Sequence, residues 1–416
     1  MRQLPALLVA LVFVVATGVP AAGSQPMPAQ IGTADPPLQS ITTVENTTNQ
    51  LTIPDNEVSR STYNTTGVDI GTATEAWSTQ LRHRHEAISF EDRFQRADSS
   101  RQRTQLVMNR VSAIEDRQQT LDRRQDRAIR QYANGQISAQ EFLRTRLVVD
   151  AEATELLESL DRVAAAPNAA PGYTLSDSVT VRLRTVEGEL RALTGPLGNR
   201  LQSSITDTDT APFYLEVSTD AYMLAGVTGD QYVRETRLDD ARSPASPDRF
   251  LSAARNDGDP ETSRLDVADE RAAELYPWLY QRQRPSFTFY GTSGIYEFTA
   301  THPNGELATY LDGGTTDVFY ETQFRELSSV LSTATEQSVN GTLQVTVRQS
   351  TETGPLLVSA TNNETGAPVD GRVSIGEQRV GSTGADGILW TVEPRGGYDV
   401  TVTTDAGRTT VAVPAA

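Results

Sequence analysis

The feature that most constrains this chain is a long stretch without proline, from Asp55 to Ala166, in which Gly135 is the only glycine after Gly71. Because proline breaks helix interiors, its absence leaves room for long helices. Apolar residues recur here in alternating steps of four and three, the spacing of one stripe along a helix. The stripe is Val107, Val111, Ile114, Leu121, Ala128 and Tyr132, interrupted by Gln118 and Gln125. We therefore predict a helix on the order of 50 Å long, at about 1.5 Å per residue.

A second apolar stripe follows after the turn "ANGQIS". Ser138 and Glu141 form an S-x-x-E capping box that predicts the start of the next helix. The second stripe is Phe142, Val149, Ala153, Leu156, Leu160 and Val163. Two stripes joined by a short turn predict an antiparallel helical hairpin, in which each arm buries its stripe on the other. Further helices, around Trp77 to Phe94 and from Ser176, would complete a bundle, and the hairpin would also allow self-association.

The hydrophobic period changes from 3.6 to two near residue 209. The segments "FYLEVSTDAYMLAGV" and "YEFTATHPNGELATYLDGGTTDVFYETQF" alternate, and a helix ending "RAAELYPWLY" lies between them. From Gly341 onward about seven short strands with tight turns predict an antiparallel β-sandwich. The predicted fold is therefore multidomain α+β. It consists of a helical hairpin or bundle at 46–208, a small α+β domain at 209–335 and a sandwich at 336–416.

Two of these parts resemble known families. The C-terminal part is similar to the carboxypeptidase-regulatory-like or transthyretin-like module, which implies a passive sandwich of surface and secreted proteins. This resemblance rests on Gly366, Pro368, Val369, Asp386, Gly387, Gly397 and Tyr398. The middle part resembles the PepSY type over fewer than 30 residues, through Asp312, Gly314 and Thr315. The whole arrangement is similar to secreted or surface proteins of haloarchaea, a resemblance that implies no particular activity.

Charge and composition indicate a saline environment. All 36 basic residues are arginine, and the 54 acidic residues bring the formal net charge to −18. Such a charge repels itself in dilute buffer, and concentrated salt screens it. The alternative explanation is a GC-rich genome, which encodes arginine in place of lysine. The chain contains no cysteine, so disulfides, thiolate metal sites and cysteine nucleophiles are excluded.

The first residues predict export. "MRQLPALLVALVFVVATGVPAAG" combines one basic side chain, an apolar run and small residues, the pattern of a signal peptide at 1–23. We expect cleavage after Gly23, general secretion to the cell surface or beyond, and a flexible, proline-rich leader at 24–45. If the signal stays uncut, the same segment would tether the protein to the membrane.

The titratable residues form no recognisable catalytic or metal-binding motif. His83 and His85 lie two residues apart and diverge on a helix, so we interpret them as two solvated histidines rather than zinc ligands. His302 is distant in sequence, and a triad built on a histidine has no support. Asp257, Asp259 and Glu261 offer oxygen ligands to calcium, but an acidic surface loop is favoured. We expect no nucleic acid binding, because it would require a net positive surface.

Four N-x-[ST] sequons are candidates for N-glycosylation, and each is predicted to lie in a loop or turn. They begin at Asn46, Asn64, Asn340 and Asn363. Together these features favour a non-enzymatic envelope protein that acts as a spacer or docking protein for protein partners, with no cofactor. The alternatives are a regulator or inhibitor of an exported protease, based on the PepSY resemblance, and an extracellular hydrolase that uses paired carboxylates.

Overall fold

The computed structural model describes residues 40–64, 70–196, 198, 212–259, 261–405 and 407–415. The predicted signal peptide, its cleavage after Gly23 and most of the predicted leader lie outside these residues. The described residues all belong to one compact unit. None of the helices in this part of the chain combines the length and the apolar composition that a membrane-spanning helix needs.

The described residues of the helical part include four helices. Their bounds are α1 Ile70–Arg96, α2 Ser100–Ala133, α3 Ala139–Ala165 and α4 Asp177–Arg191. Ser99 caps α2, and the predicted capping box of Ser138 and Glu141 at the start of α3 is confirmed. A 3₁₀ turn at Ala166–Ala169 follows α3, where Pro167 can no longer continue an α-helix.

Helices α2 and α3 run antiparallel. Arg110 of α2 contacts Ser159 of α3, and Arg117 contacts Glu152, so sequence numbers rise along one helix as they fall along the other. Both stripes are buried. Most of their residues share one core with Phe94 of α1 and with Leu183 and Leu190 of α4. The stripe residues Ala128, Tyr132 and Phe142 instead belong to the core formed with the sheet. Gln118 and Gln125 are also buried in the seam.

An eight-stranded antiparallel sheet follows. Its strand order is β3-β4-β5-β6-β10-β9-β8-β7. The bounds are β3 Arg60–Asn64, β4 Phe213–Val217, β5 Ala221–Thr228, β6 Gln231–Leu238, β7 Ser286–Phe289, β8 Ile295–His302, β9 Gly305–Asp312 and β10 Val318–Glu326. The alternation of the strands directs successive side chains to opposite faces. Leu215 packs on one face against the tip of the α2–α3 hairpin, whereas Tyr214 packs on the other.

That other face is covered by short helices and by the chain that precedes β3. The helices are α5 Arg249–Asn256, α6 Arg264–Leu275 and α7 Pro277–Tyr280. A two-stranded ribbon of β1 (Ile41–Thr42) and β2 (Gln50–Leu51) places Leu51 and Ile53 in the same core. This differs from the predicted boundaries, which assign all of 46–208 to the helical domain. The cause is the pairing of β3 with β4, a long-range contact that a local sequence period does not reveal.

The C-terminal part is a β-sandwich of two four-stranded antiparallel sheets, ordered β11-β12-β13-β16 and β15-β14-β17-β18. The bounds are β11 Ala334–Asn340, β12 Leu343–Gln349, β13 Pro355–Asn362, β14 Arg372–Ile375, β15 Gln378–Ser382, β16 Ile388–Val392, β17 Tyr398–Thr404 and β18 Gly407–Val413. A 3₁₀ turn at Leu327–Ser329 precedes it. Valines from both sheets fill its core. The predicted strands after Gly341 are thus present, and β11 adds one more.

Candidate functional site

Charged and polar side chains, most of them buried, meet where the eight-stranded sheet contacts the sandwich and the N-terminal segment. We call this group the junction cluster. It comprises Glu216, Arg234, Glu321, Gln323, Arg325 and Arg395. All of its members except Arg395 lie on the sheet face that carries Tyr214, because strand alternation puts them there.

Arg395 connects three parts of the chain. It lies in the loop between β16 and β17, and its Nε donates to both carboxylate oxygens of Glu216 in β4, at 2.8 and 2.9 Å. Its Nη2 donates to the carbonyl oxygen of Ile53 at 2.8 Å, and its Nη1 pairs with Asp55. A charged, planar donor with several N–H groups suits such a three-way contact. Burial raises the pKa of Glu216, and Arg395 opposes that rise.

Neutral hydrogen bonds reinforce the same junction. The hydroxyl of Tyr63 in β3 donates to the carbonyl of Val392 at 2.5 Å, and that of Tyr232 in β6 donates to Thr353 at 2.5 Å. Val392 itself is buried in the core of the sheet rather than in that of the sandwich. The sandwich is therefore joined to the sheet by apolar, polar and ionic contacts together.

Glu321 in β10 ties the N-terminal segment and α6–α7 to the sheet. Its Oε1 accepts from the backbone N–H of Leu51 at 3.0 Å and from Gln323 Nε2 at 2.9 Å. Its Oε2 accepts from the Tyr276 hydroxyl at 2.5 Å. Burial raises the pKa of Glu321, and Arg234 is the first of the groups that oppose this rise.

A second buried group, the helix–sheet cluster, lies on the opposite face of the sheet. Its members are Arg146, Asp150, Tyr222 and Glu235. Arg146 Nε of α3 donates to Glu235 Oε1 at 3.0 Å and to the Tyr222 hydroxyl at 2.9 Å. Asp150 Oδ1 accepts from the N–H of Gly195 at 2.6 Å. Burial raises the pKa of Asp150 to about 6, against the attraction of Arg146.

The histidines occupy separate places, and one of them corrects the sequence-based interpretation. His85 is exposed as expected, but His83 is buried, with its Nε2 3.2 Å from Glu152 Oε1. Glu152 lies on α3, 69 residues away, so the sequence around His83 did not show this partner. Although burial acts in the other direction, hydrogen bonds from His83 and Arg117 hold the pKa of Glu152 at about 2.

His302 lies at the end of β8, edge-to-face with Trp278 at 5.6 Å between ring centroids. Burial, and then Arg325, lower its pKa to about 4, so it is neutral near pH 7. It belongs to the sheet side of the molecule, whereas His83 belongs to the helical bundle. The structure therefore does not bring these two histidines into one site.

Two clefts flank the end of the sheet at β7. The larger, of about 620 Å³, is lined by residues of α5, α6 and β7, including Arg255, Asp259 and Phe289. The smaller, of about 340 Å³, is lined by hydroxyl and small side chains of β8–β10 together with Arg284 and Glu306. The buried carboxylates of the junction and helix–sheet clusters are not among the residues that line either cleft.

The acidic loop near the larger cleft uses its carboxylates in its own turns. Asp259 Oδ1 accepts from the N–H of Glu261 at 2.9 Å, and Asp257 Oδ2 accepts from the Thr262 hydroxyl at 2.6 Å. Across the described residues, no three histidine or carboxylate side chains are grouped so that they could hold a metal ion.

The four sequons differ in accessibility. Asn46 and Asn363 are exposed, and Asn64 ends β3 in a half-buried position. Asn340 is exposed too, but it ends β11, and its Nδ2 donates to the carbonyl of Arg408 at 2.8 Å. The prediction of a loop or turn is therefore wrong for Asn64 and Asn340, which are the last residues of strands. Asn363 lies in the turn after β13, and its backbone N–H donates to Thr342, so the third and fourth sequons lie side by side.

Sequence reasoning missed Arg395, Glu216 and the other buried charges. "VEPRGGY" carries no signal for Arg395 beyond an arginine before two glycines, and its partner is 179 residues away. The alternation in "FYLEV" does place Glu216 on the same face as Tyr214, and a carboxylate in an apolar strand was a usable hint of a buried partner.

Comparison with known proteins gives three family matches. Residues 1–210 match a domain of unknown function, DUF7096; residues 213–331 match a family of unknown function, DUF7094; and residues 334–411 match the archaeal fibronectin-III type-like domain. The middle and C-terminal matches are thus to families other than the PepSY type and the carboxypeptidase-regulatory-like module. No curated protein and no solved structure matches the chain. Because the first family model covers half of the chain, the protein belongs to the archaeal family that is defined by the DUF7096 domain and carries a C-terminal fibronectin-III-like β-sandwich.

Proposed function

We propose that this protein is exported to the cell envelope of a halophilic archaeon and acts there without catalysis, as a rigid spacer or docking protein. The observation that carries the proposal is the junction cluster. Arg395 of the sandwich, Glu216 of the sheet and Asp55 of the N-terminal segment share one ionic contact. A contact of this kind favours a fixed arrangement of the parts over independently moving domains.

The placement of the perturbed carboxylates supports the same role. In enzymes, groups with shifted pKa values tend to lie in clefts, where they meet substrate. Here the carboxylates of Asp150, Glu216 and Glu321 each accept hydrogen bonds from another part of the fold. We infer that these charges hold elements together rather than react.

The environment is proposed from the composition. A net charge of −18 with arginine as the only basic type suits concentrated salt. We further propose that the fibronectin-III-like sandwich acts as a passive module, and that the partners are proteins of the envelope. An uncut signal segment would add a membrane tether.

The experiment that tests localisation is fractionation of a haloarchaeal host that expresses the full chain with a C-terminal tag. We expect the protein outside the cytoplasm, with an N-terminus that begins at Ser24 by mass spectrometry. A variant in which Leu7 and Leu8 are replaced by Arg serves as the control and should stay inside the cell. Wild-type protein that is intact at Met1 in the soluble cytoplasm would refute the proposal.

Rigidity is tested by distance measurement between two spin labels. The chain has no native cysteine, so the substitutions Gln119→Cys on α2 and Ala385→Cys in the sandwich give specific labelling. We expect one narrow distance distribution in concentrated salt, and a broader one after Arg395→Met. A broad distribution in the otherwise wild-type chain would contradict the spacer role. If the full-length protein slows the cleavage of a peptide substrate by an exported protease, the role of a protease regulator would be favoured instead.

A further inference from the structure

Arg234 is a buried cation whose hydrogen bonds are not accounted for by its neighbours. It lies on β6 at the centre of the junction cluster, and its side chain is 1% exposed. Its Nε, Nη1 and Nη2 donate to no acceptor among the described protein atoms. Its ion pair with Glu321 measures 3.6 Å from Nη1 to Oε1, which is too long for a hydrogen bond.

The carboxylates around Arg234 already hold other donors. Glu321 accepts from Leu51, Tyr276 and Gln323. Glu216 accepts from Arg395 at both oxygens and from the Tyr214 hydroxyl at 3.0 Å. A carboxylate offers about four acceptor positions, so each of the two has about one place left. Arg234 brings five N–H groups to this site.

More donors and a second cation surround it. Thr236 and Thr309 both stand in register with Glu321, one on each neighbouring strand, and so share its face with Arg234. Neither hydroxyl has a hydrogen-bond partner among the described protein atoms. Arg325 is also fully buried, and after burial itself, the repulsion from Arg234 contributes to lowering its pKa. The polar side-chain atoms of Arg234, Thr236 and Thr309 therefore all lack partners among the described protein atoms, and two guanidinium groups repel each other beside them.

We propose that Arg234, with the hydroxyls of Thr236 and Thr309, binds a buried monovalent anion, which is chloride in a saline medium. A chloride ion accepts hydrogen bonds from several directions and reduces the repulsion between Arg234 and Arg325. A water molecule would satisfy the donors less well because it brings two O–H groups of its own, and the carboxylates have little room for them. The anion would make the junction between sheet, sandwich and N-terminal segment dependent on chloride itself as well as on ionic strength.

The first test is diffraction from wild-type crystals grown in sodium bromide. We expect an anomalous peak within hydrogen-bonding distance of the Arg234 guanidinium. A fully occupied water at that place, with no bromide signal, would overturn the proposal. This measurement uses the unchanged protein, so it decides the question even if an Arg234 variant fails to fold.

The second test is unfolding in solution while gluconate is exchanged for chloride at constant sodium and ionic strength. A ligand that binds only the folded state lowers the unfolding equilibrium constant by a factor of about 100 when its concentration is 100 times its Kd. We expect such a saturating decrease for the wild type and a change within about twofold for Arg234→Met. Arg191→Met, at a partly exposed ion pair with Glu187 outside the junction cluster, is the control and should behave as the wild type. Equal responses of Arg234→Met and wild type would contradict the proposal.

Discussion

Arg395 and Glu216 are 179 residues apart in sequence, and they form a contact in which one guanidinium nitrogen donates to both oxygens of one carboxylate. The side chain of Glu216 is fully buried, whereas that of Arg395 is 15% exposed. A carboxylate in that position is tolerable because the arginine and the Tyr214 hydroxyl satisfy it. The pair therefore links the attachment of the sandwich to the stability of the sheet.

Replacing Arg395 by Met should destabilise the protein by about 3–5 kcal/mol, because a buried carboxylate loses its cation. The double variant Arg395→Met, Glu216→Met should recover most of that loss, since it removes the charge together with its partner. The measurement is urea unfolding of both variants and of wild type at one high salt concentration.

The control for this pair is Asp92→Asn, which breaks an ion pair with Arg96 on the surface of α1. The two side chains are 47% and 79% exposed, so water already screens their interaction. We expect a change of about 0.5 kcal/mol or less. If Arg395→Met costs no more than Asp92→Asn, the junction cluster does not hold the sandwich in place.

Gly195 gives a second prediction, because it lies against the helix–sheet cluster. A Cβ atom at this residue would lie 2.1 Å from Glu235 Oε2 and 2.6 Å from Arg146 Nη2, and both side chains are buried. We expect Gly195→Ala to cost about 1–3 kcal/mol of unfolding free energy through overpacking.

A double-mutant cycle separates overpacking from other effects of the alanine. A Glu235→Ala background removes the carboxylate closest to the new Cβ and leaves the approach to Arg146, so Gly195→Ala should cost less there than in the wild type. Thermal unfolding of the four proteins supplies the comparison. An equal cost in both backgrounds would show that contact with Glu235 is not the cause.

Local periodicity predicted the elements whose partners are close in sequence. The apolar stripes of α2 and α3, the capping box at Ser138 and the short strands after Gly341 all follow from spacings of two or of three and four residues. The order of the eight-stranded sheet does not follow from them, because β3 pairs with β4 across more than 140 residues. Any alternating strand could have taken that place.

The same limit applies to the charged residues. His83 was interpreted as solvated because the residues around it are charged, yet Glu152 and the packing of α1 on α3 bury it. Arg395 was not recognised because its carboxylate partner Glu216 lies 179 residues away in the sequence. Buried ion pairs between distant elements depend on topology. The local sequence shows each residue of such a pair, but not that the two residues contact each other.

Accessibility leads to a prediction for the sequons if modification acts on the folded protein. Asn363 lies exposed in a turn, whereas the side-chain nitrogen of Asn340 is occupied by its hydrogen bond to Arg408. We expect glycopeptide mass spectrometry of protein from its host to find Asn363 occupied more often than Asn340. Asn363→Gln should remove that glycan without changing the unfolding temperature. An occupied Asn340 beside a bare Asn363 would contradict the accessibility argument.

The last prediction concerns pH. Burial raises the pKa of Asp150 from 3.8 to about 6, so between these values the folded state binds more protons than the unfolded state. Stability from this residue is therefore fully present below about pH 4 and is lost as pH rises to about 6, by about 3 kcal/mol. Glu152 acts in the opposite sense, because its pKa is lowered from 4.5 to about 2, and its contribution is lost as pH falls through that range.

Two amide substitutions test separately the two pH ranges in which stability changes. Asp150→Asn keeps an oxygen that can accept from the N–H of Gly195, but its side chain cannot ionise. The decline of the unfolding free energy between pH 4 and 6 should therefore become shallower. At pH 7 the variant should be more stable than the wild type. Glu152→Gln should instead reduce the change of the unfolding free energy between pH 2 and 4.5. It should leave the decline between pH 4 and 6 that Asp150 causes unchanged. The measurement is urea unfolding from pH 2 to 8 at constant high salt. If stability declines as steeply between pH 4 and 6 in Asp150→Asn as in the wild type, another group titrates there. Asp126 is the next residue to replace, because burial and the neighbouring Asp239 raise its pKa to about 6.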